Sequence, residues 1–302
     1  MDLRELEYLT ALSEEGSVSR AAERLYMSQS SLSQFLQQYE DELGVRLFLR
    51  TSKGIRPTAN GELFIDHMQR ILLDYQRARN ELWDNESMKG GRVSLGISSF
   101  RGYRMLPRIL HRFRQMYPDV TVDVVEENSM QLETLLLEGK LDVAVIALPA
   151  SKLKNEVKFL KKEEVYIVAS ADHPVLEKAQ KRDDGHGEWV SLEDVAAHPL
   201  ILGNHDTILG NLSRNLFRSH RCKYSAIYEN ITAEMAVCMA REGLGLAFTY
   251  ASCTEPDQRT RLLRIGKEGV FLDLGIGFPS REYHSKSAEA LEAVICDVYR
   301  ES

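Results

Sequence analysis

Residues 28–38 present hydroxyl and amide side chains where a solvated helix usually carries charges, and this stretch holds no acid. The apolar residues at helical spacing, which should face inward, are Leu32, Phe35, Leu36, Tyr39 and Leu43. The polar residues left for the other side are Ser30, Ser31, Ser33, Gln34, Gln37 and Gln38. Such groups suit hydrogen bonding to base edges and phosphates in the major groove of DNA. The pattern therefore predicts a helix that reads duplex DNA.

Two helices joined by a tight turn are predicted around this polar face. Ser17 or Ser19 can cap the first helix, because a serine hydroxyl accepts a hydrogen bond from a free amide of the first turn. Ser28 can cap the second helix in the same way, and Gly44 is typical of the residue that ends one. The sequence therefore predicts a helix-turn-helix over about residues 18–37.

A short basic hairpin is predicted directly after the second helix. Between Gly44 and Gly61 every charged residue is basic. Residues 52–54 are typical of a hairpin turn, and short apolar runs flank them. A basic wing beside a recognition helix would contact the phosphate backbone or the neighbouring minor groove. The alternative is a solvated charge run, which is common on surfaces; the helix-turn-helix upstream favours the wing.

The residues that carry a family resemblance read GSVSRAAERLYMSQSSLSQ and YEDELGVRLFLRTSKGIRPTANGE. They closely resemble the winged helix-turn-helix of LysR-type transcriptional regulators, and the resemblance extends over the whole chain in length and organisation. Ser30 stands where the family usually has Pro, Gln34 where a basic residue is frequent, and Pro57 where an apolar residue is commoner. These departures leave the fold intact, but the operator sequence cannot be inferred from relatives.

The resemblance implies a DNA-binding transcriptional regulator made of three parts. They are a mainly α-helical winged helix-turn-helix domain over residues 1–58, a dimerising linker helix over 59–88, and an effector-binding domain over 89–302. The last part is expected to have the two-lobed α/β fold of periplasmic solute-binding proteins, with lobe I over about 92–162 and 268–302 and lobe II over about 163–267. The candidate DNA-binding residues are Arg20, Ser28, Gln29, Ser30, Ser31, Ser33, Gln34, Gln37, Arg46, Arg50, Lys53 and Arg56.

A long helix without Pro or Gly is predicted from Glu62 to about Met88, and Thr58 can cap it. Its apolar residues fall at heptad spacing, the pattern of two helices that pack together; they are Phe64, Met68, Ile71, Tyr75, Ala78 and Leu82. The alternative is a helix that packs on its own domain. The length favours a dimer seam, because the apolar residues would otherwise be exposed, and the family resemblance implies antiparallel pairing.

The expected partners are duplex DNA and further copies of the chain. A dimer presents two recognition helices, so the operator should be an interrupted inverted repeat. The chain is also expected to form a tetramer and to contact RNA polymerase.

From residue 92 the pattern changes to strands that alternate with helices, after a hinge at residues 89–91. The first unit has predicted strands at 93–98, 120–125 and 143–148, and helices at 105–116 and 130–138. The second unit has predicted strands at 165–170, 200–202, 226–229 and 243–249, and helices at 208–218 and 232–241. A strand at 271–278 and a helix at 287–299 would return to the first unit. This order predicts parallel sheets with helices on their faces.

A ligand is expected in the crevice beyond the carboxyl ends of these strands, between the lobes. The candidate effector-binding residues are Ser98, Ser99, Phe100, Asn128, Ser129, Leu148, Gly203, His205, Thr232 and Thr249. Ser98 and Ser99 precede a helix, where hydroxyls and free amides bind anions, and Arg101 and Arg104 would add positive charge. The expected effector is a small anionic metabolite. The alternative is that each of these residues is an ordinary helix cap.

Composition indicates a chain of several domains and gives little sign of its partner. The 302 residues carry a net charge of −7, and residues 1–60 hold seven Lys or Arg against nine Asp or Glu. The positive charge that would suit DNA is therefore local. The chain shows no run of about 18 apolar residues and no leader pattern, so a cytoplasmic location without a membrane partner is expected.

Other function classes receive little support from the sequence. No Ser-His-Asp order, paired carboxylates or metal-ligand spacing stands out, so neither an enzyme nor a metal or other cofactor is expected. Cys222, Cys238, Cys253 and Cys296 form no C-x-x-C motif, and Cys238 lies in an apolar stretch where a buried thiol is expected. A redox-sensing regulator that uses a cysteine pair remains an alternative, as does a small-molecule-binding protein without operator specificity.

Overall fold

The computed structural model describes residues 3–51, 54–85, 91–153, 156–182, 185, 187–254, 257–279 and 284–301. The chain separates into two compact units, Met1–Leu82 and Trp83–Ser302. Several residues named in the sequence analysis lie outside the described residues: Ser52 and Lys53 of the predicted hairpin turn, Met88 at the predicted helix end, and Lys89 and Gly90 of the predicted hinge.

The first unit is helical, with one hairpin among its described residues. Its elements, the last of which runs into the second unit, are α1 (Leu3–Glu15), α2 (Val18–Arg24), α3 (Gln29–Leu43), β1 (Phe48–Thr51), β2 (Gly54–Pro57) and α4 (Ala59–Asn85). The Ser17 hydroxyl accepts a hydrogen bond from the amide of Arg20, so Ser17 rather than Ser19 caps α2. Gly44 ends α3 with a φ of +67°, a conformation that glycine adopts without strain.

The apolar faces of α1, α2 and α3 pack on one another and on the hairpin. The cluster includes Leu9, Leu12, Ala21, Ala22, Leu32, Leu36, Tyr39, Leu47, Phe48 and Ile55. Leu43, which the spacing placed inside, is 41% exposed, and that prediction is wrong. The chain turns back at Gly44, and the buried residue of the last turn of α3 is Glu40.

The start of α4 is fixed on the residues that precede β1. The Thr58 hydroxyl accepts a hydrogen bond from the Gly61 amide at 2.9 Å and donates one to the Arg46 carbonyl at 2.9 Å. Thr58 is therefore the expected cap, although the helix begins at Ala59 rather than at Glu62. A Cβ atom at Gly61 would lie 1.9 Å from the Leu47 carbonyl oxygen, so only glycine allows this close approach.

The second unit is an α/β structure. Its strands are β3 (Arg92–Ile97), β4 (Thr121–Glu126), β5 (Val143–Leu148), β6 (Val157–Ser170), β7 (Gln180–Lys181), β8 (Glu188–Val190), β9 (Pro199–Gly203), β10 (Ser225–Ile231), β11 (Leu246–Tyr250), β12 (Thr260–Ile265) and β13 (Val270–Gly277). Its helices are α5 (Ser99–Met116), α6 (Ser129–Leu137), α7 (Leu192–Ala196), α8 (Ile208–Ser219), α9 (Ala233–Arg241) and α10 (Lys286–Arg300).

Two parallel strand groups are joined by long antiparallel strands. The main path of the sheet runs β10-β9-β11-β6-β13-β5-β3-β4. β3 is parallel to β4 and β5, and β9 is parallel to β10 and β11, as the strand–helix alternation predicts. β6 pairs with β13 through its first half and with β11 through its second, so it crosses from one lobe to the other. β13 and α10 return to the first lobe, as expected.

The differences from the predicted elements lie mainly where elements begin. α5 begins at Ser99, six residues before the predicted start, because Ser98 already has the extended backbone of an N-cap, and it continues through Pro107. β6 begins at Val157 because its charged first half pairs with β13 although it lacks an apolar pattern. The sequence did not predict β7, β8, β12, α7 or the 3-10 turn Pro174–Lys178.

Within the described part of the chain, no helix is both long and apolar enough to cross a membrane.

Candidate nucleic-acid interface and ligand cavity

The outer face of α3 is formed by the polar residues that the spacing placed there. Leu32, Leu36 and Tyr39 hold the helix on the core. The exposed polar residues opposite them are Gln29, Ser30, Ser31, Gln34, Gln37 and Gln38, and Ser33 is half-buried at the edge of the face. The side chains of this face can therefore donate and accept hydrogen bonds, and the buried residues hold the helix that carries them in place.

The start of α3 is a network of hydroxyls. Ser28 accepts a hydrogen bond from the Ser31 amide at 3.1 Å, so its first role is that of an N-cap. The Ser30 and Ser31 hydroxyls lie 3.0 and 2.7 Å from that of Ser28. The Ser19 hydroxyl of α2 donates to the side-chain oxygen of Gln29 at 3.0 Å. These contacts orient the first turn of α3, which is the end that would approach a base edge.

The basic residues proposed for DNA contact differ in whether they already pair with a carboxylate of the protein. Arg20 pairs with Glu15, and Arg46 lies 3.3 Å from a carboxylate oxygen of Glu40. Those two are therefore less available than the sequence suggested. Arg50 donates to the Ser33 hydroxyl at 2.8 Å, and Arg56 is exposed on β2. Lys53 lies outside the described residues.

Glu40 is a structural residue that the sequence did not single out. It is 5% exposed, and its Oε1 atom accepts hydrogen bonds from the amides of Leu47 and Phe48 at 2.7 and 2.8 Å. These amides lead into β1, so the carboxylate fixes the wing against α3. A buried carboxylate is retained when hydrogen bonds and a cation offset its lost hydration.

Tyr26 is an exposed aromatic residue at the turn between α2 and α3. It is 98% exposed, and its φ of +53° lies in the left-handed region that a side chain disfavours. It follows the C-cap Leu25, where glycine is the usual residue. Tyr26 was not singled out from the sequence; an aromatic residue where glycine is expected was the available signal.

The heptad residues of α4 divide into two groups. Phe64 packs on the first unit's own core, with its ring 6.1 Å from that of Tyr39, and Met68 is 8% exposed. These two residues therefore follow the alternative of packing on their own domain. The residues that remain exposed at heptad spacing are Ile71, Tyr75, Ala78 and Leu82.

A cavity of about 270 Å³ lies beyond the carboxyl ends of the strands in the second unit. The first lobe contributes residues that follow β3 and β4, and the second lobe contributes residues near the ends of β9, β10 and β11. The predicted residues that line it are Ser98, Ser99, Phe100, Asn128, Ser129 and Thr232. The structure therefore places these six residues at one cavity near the strand ends.

Four predicted effector residues do not line this cavity. Thr249 is fully buried, and its hydroxyl lies 2.6 Å from that of Thr254. The carbonyl of Gly203 accepts a hydrogen bond from Arg214, and His205 faces solvent 3.8 Å from a carboxylate oxygen of Glu229. Leu148 is the last residue of β5 and is not part of the lining. The end of a strand gives a position in the sheet but not the direction of each side chain.

Four helix N-caps meet at the cavity. Asn128, Thr207 and Thr232 accept hydrogen bonds from the amides of Gln131, Gly210 and Met235, and so cap α6, α8 and α9. Ser98 is the N-cap of α5 but makes no side-chain cap bond, and its hydroxyl is buried without a partner. The cap alternative therefore accounts for Asn128 and Thr232 and leaves the Ser98 hydroxyl unexplained.

The charge that lines the cavity is mainly negative. Its carboxylates are Glu126, Glu127, Asp206 and Glu234, and its cation is Arg101. Arg101 is 3% exposed and is paired with the buried Glu163 at 3.3 Å. Arg104, the other expected cation, does not belong to the lining. The residues therefore disagree with the expectation of a purely anionic effector, which the four carboxylates would repel.

Arg101 links the cavity to the strand that crosses between the lobes. Its guanidinium lies 4.0 Å from the centre of the Tyr250 ring, and Glu163 belongs to β6. Glu163 also accepts hydrogen bonds from the amide and hydroxyl of Ser252. Burial raises the pKa of the Tyr250 hydroxyl, so it stays neutral beside this pair.

All four cysteines are free thiols, and their environments differ. Burial raises the pKa of Cys253 to about 12, and burial also raises the pKa values of Cys222 and Cys296. Because the thiolate is the reactive form, these shifts do not favour redox sensing. Cys238 is exposed, so the expectation of a buried thiol there is wrong. Among the described residues, no group of three His, Cys, Asp or Glu is placed to hold a metal ion.

A helix-turn-helix unit with a wing and an α/β unit with a cavity define a DNA-binding regulator controlled by a small molecule. Family models agree with both parts: the bacterial regulatory helix-turn-helix protein, lysR family, matches residues 3–62, and the LysR substrate binding domain matches residues 87–299. The chain belongs to the LysR family of transcriptional regulators, whose members are not enzymes.

Relatives agree with this assignment along most of the chain. The probable HTH-type transcriptional regulator LrrA of Synechococcus elongatus is 31% identical over 249 residues, which is 82% of this chain and 80% of that protein. Full-length OxyR from Pseudomonas aeruginosa has a TM-score of 0.68 at 25% identity, covering 99% of this chain and 98% of that one. CbnR in complex with its target DNA has a TM-score of 0.69 at 21% identity, covering 99% and 100%. The identity to LrrA supports the family, the structural similarity to CbnR shows the fold alone, and neither indicates a particular effector.

Proposed function

We propose that this regulator reads its operator with the outer face of α3 and clamps the DNA backbone with the wing. The observation that carries the proposal is the exposed row of Ser and Gln on a helix held by buried Leu32 and Leu36. Gln29 and Ser33 would contact base edges, while Arg50, Lys53 and Arg56 would contact phosphates. Tyr26 lies just before α3 and is exposed, so its ring would be available to the same DNA.

Three variants of the full-length protein test this division by gel shift. Gln29→Ala should cost about 1–3 kcal/mol on the operator and relax its sequence preference, because an amide bonded to a base edge is lost. Gln115→Ala, which removes an exposed glutamine from α5 of the second unit, is the control and should change little. Arg56→Ala should weaken binding to all sequences alike and lower the salt slope by about one, because it removes one phosphate contact.

The variants also distinguish an operator-reading regulator from a small-molecule-binding protein without operator specificity. If Gln29→Ala and Arg56→Ala weaken all sequences equally, α3 does not read bases. If no sequence preference exists in the parent protein, the second unit binds its small molecule for another purpose.

We further propose that the exposed stripe of α4 joins two chains. Ile71 and Tyr75 are 42% and 44% exposed, and Leu82 is 67% exposed, on a helix that is otherwise mostly polar. Pairing of two such stripes would remove this apolar surface from water. The resulting dimer would bind an interrupted inverted repeat in the cytoplasm, and a tetramer that contacts RNA polymerase is the larger assembly expected on the promoter.

The small-molecule effector is proposed to bind in the cavity between the lobes. A cavity of about 270 Å³ is small compared with the roughly 300–1,000 Å³ of drug-sized ligand sites, so a compact molecule fits. Effector binding would shift the balance between two lobe arrangements, which requires different affinities for the two. The Arg101–Glu163 pair, which joins the cavity wall to β6, is the contact through which such a shift would reach the crossover strands.

A further inference from the structure

The cavity combines two pairs of carboxylates that come from opposite lobes. Glu126 ends β4 and Glu127 follows it in the first lobe, and Asp206 and Glu234 belong to the second. None of the four forms an ion pair with a described residue. The charge of Arg101, the cation of the lining, is already matched by Glu163. The carboxylates are therefore available to a positively charged ligand group.

Helix dipoles give a simpler reason for some of these acids. Glu234 lies in the first turn of α9, and Asp206 precedes the N-cap of α8, where negative charge is favourable. Glu126 and Glu127 precede the N-cap of α6 in a similar way. Dipoles explain why each acid is tolerated, but closure of the lobes around a ligand would bring two like-charged pairs into one desolvated space. A cation between them would offset that repulsion.

A second, independent observation points to a negative or acceptor group on the same ligand. The Nε atom of Arg101 has no hydrogen-bond partner although the residue is 97% buried, and Arg101 lines the cavity. The hydroxyl of Ser98, at the N-terminus of α5, also lacks a partner. Buried donors normally find acceptors. A carboxylate on the ligand would satisfy both donors together with the free amides of the first turn of α5.

We propose that the effector is a small zwitterion, an amino acid or a close analogue, whose carboxylate binds at Ser98 and Arg101. Its ammonium group lies among Glu126, Glu127, Asp206 and Glu234, and so bridges the two lobes. The inference deepens the proposed function, since it depends on the cavity being the effector site. It retains an anionic group at the start of α5 and adds the positive charge that the lining carboxylates require.

A ligand panel tests the charge requirement on the full-length protein. The probes are the proteinogenic amino acids with selected β- and ω-amino acids, each paired with the deaminated acid and with the amide of the same skeleton. Thermal shift identifies the binders, and calorimetry measures their affinities. At least one amino acid should bind at least tenfold more tightly than both of its partners, because each partner lacks one of the two charges.

Matched variants then locate the ammonium group. Glu234→Gln should weaken binding of that amino acid at least tenfold and leave its deaminated partner unweakened. Glu289→Gln is the control, since Glu289 also lies in the first turn of a helix but not in the cavity. It loses the same dipole interaction and should leave both affinities unchanged. Ser98→Ala should weaken the amino acid and its deaminated partner alike.

The outcomes distinguish this inference from the proposed effector site. If deaminated acids bind as tightly as amino acids and Ser98→Ala weakens them, the cavity is the site and the zwitterion is wrong. If amino acids bind but none of the cavity variants changes their affinity, the site itself is misplaced. A panel in which no amino acid binds overturns the inference.

Discussion

Tyr26 combines full exposure with a backbone conformation that glycine favours. Tyr26→Gly should leave stability unchanged or raise it by up to about 1 kcal/mol, because the left-handed strain of a side chain is relieved while glycine loses more entropy on folding. The same variant should bind the operator more weakly if the ring contacts DNA. Chemical denaturation and gel shift on one protein sample measure the two effects. An unchanged operator affinity would show that the ring has no part in binding.

His173 makes the stability of the second unit depend on pH. Its Nδ1 atom accepts a hydrogen bond from the Val175 amide at 3.1 Å, and its ring lies 4.9 Å from that of His198. Burial and, secondly, His198 lower the pKa of His173 below 6.5 in the folded protein, while Asp172 acts in the opposite direction. Below pH 6.5 the unfolded chain therefore binds more protons, and stability falls as the pH falls towards the folded pKa.

His173→Asn isolates this effect. An Asn side chain can accept the same hydrogen bond but does not titrate. Between pH 7 and pH 5 the parent should lose more unfolding free energy than the variant, by at most about 1.4 kcal/mol per pH unit. Denaturant melts across this range measure the difference. Parallel pH profiles for the two proteins would contradict the assignment.

Residue types and positions after strands predicted six of the seventeen residues that line the cavity. Ser98, Ser99, Asn128, Ser129 and Thr232 were found because polar residues at strand ends face a crevice in parallel sheets. Thr249 could not be distinguished from them by sequence position, although it is fully buried and its hydroxyl lies against that of Thr254. The lining acids, such as Glu126 and Glu234, resembled ordinary surface charges until the fold brought the two lobes together.

At the level of elements, α4 shows how periodicity and packing differ. A continuous heptad pattern predicted one dimer seam. In the structure Phe64 packs on the core of the first unit and Met68 is buried within the single chain, so only the later heptad positions are exposed. Heptad spacing specifies a common helix face and does not say which neighbour covers it. The exposed part of that face, from Ile71 to Leu82, is the proposed dimer seam.

Ile71→Asp tests the seam. It would place an unpaired charge in a buried apolar interface, at a cost on the order of several kcal/mol per dimer. Sedimentation should then show smaller species, and operator affinity should fall sharply. Ile71→Leu, which keeps the apolar surface, is the matched control and should sediment like the parent. An unchanged mass for Ile71→Asp would mean that the stripe is not an interface.

Some of the elements that sequence patterns missed are stabilised by strands far away in the chain. β12 pairs with β6 and β8, and the first half of β6 pairs with β13, which lies about 110 residues later in the chain. The strand propensity of a short segment does not show that it pairs with a strand far away in the chain. α5 was predicted six residues too short because Gly102, in its first turn, weakens a helical pattern that tertiary packing restores.

On the scale of the whole molecule, the order of motifs predicted the organisation better than any single site. The ordered residues of the helix-turn-helix and the strand–helix alternation that follows it were sufficient for the fold class. The identity of the effector was not predictable, because the charge of the cavity depends on residues from both lobes. Its net negative lining became apparent only when those residues were placed together.

Selection from random-sequence DNA with the full-length protein tests the central claim most directly. Two recognition helices on a symmetric dimer should enrich an interrupted inverted repeat whose half-sites are centred about one helical turn, or a multiple of it, apart. Selection with Gln29→Ala should relax the base preference within each half-site. Enrichment of a single unpaired half-site, or of no sequence, would contradict the account of a dimer that reads DNA through α3.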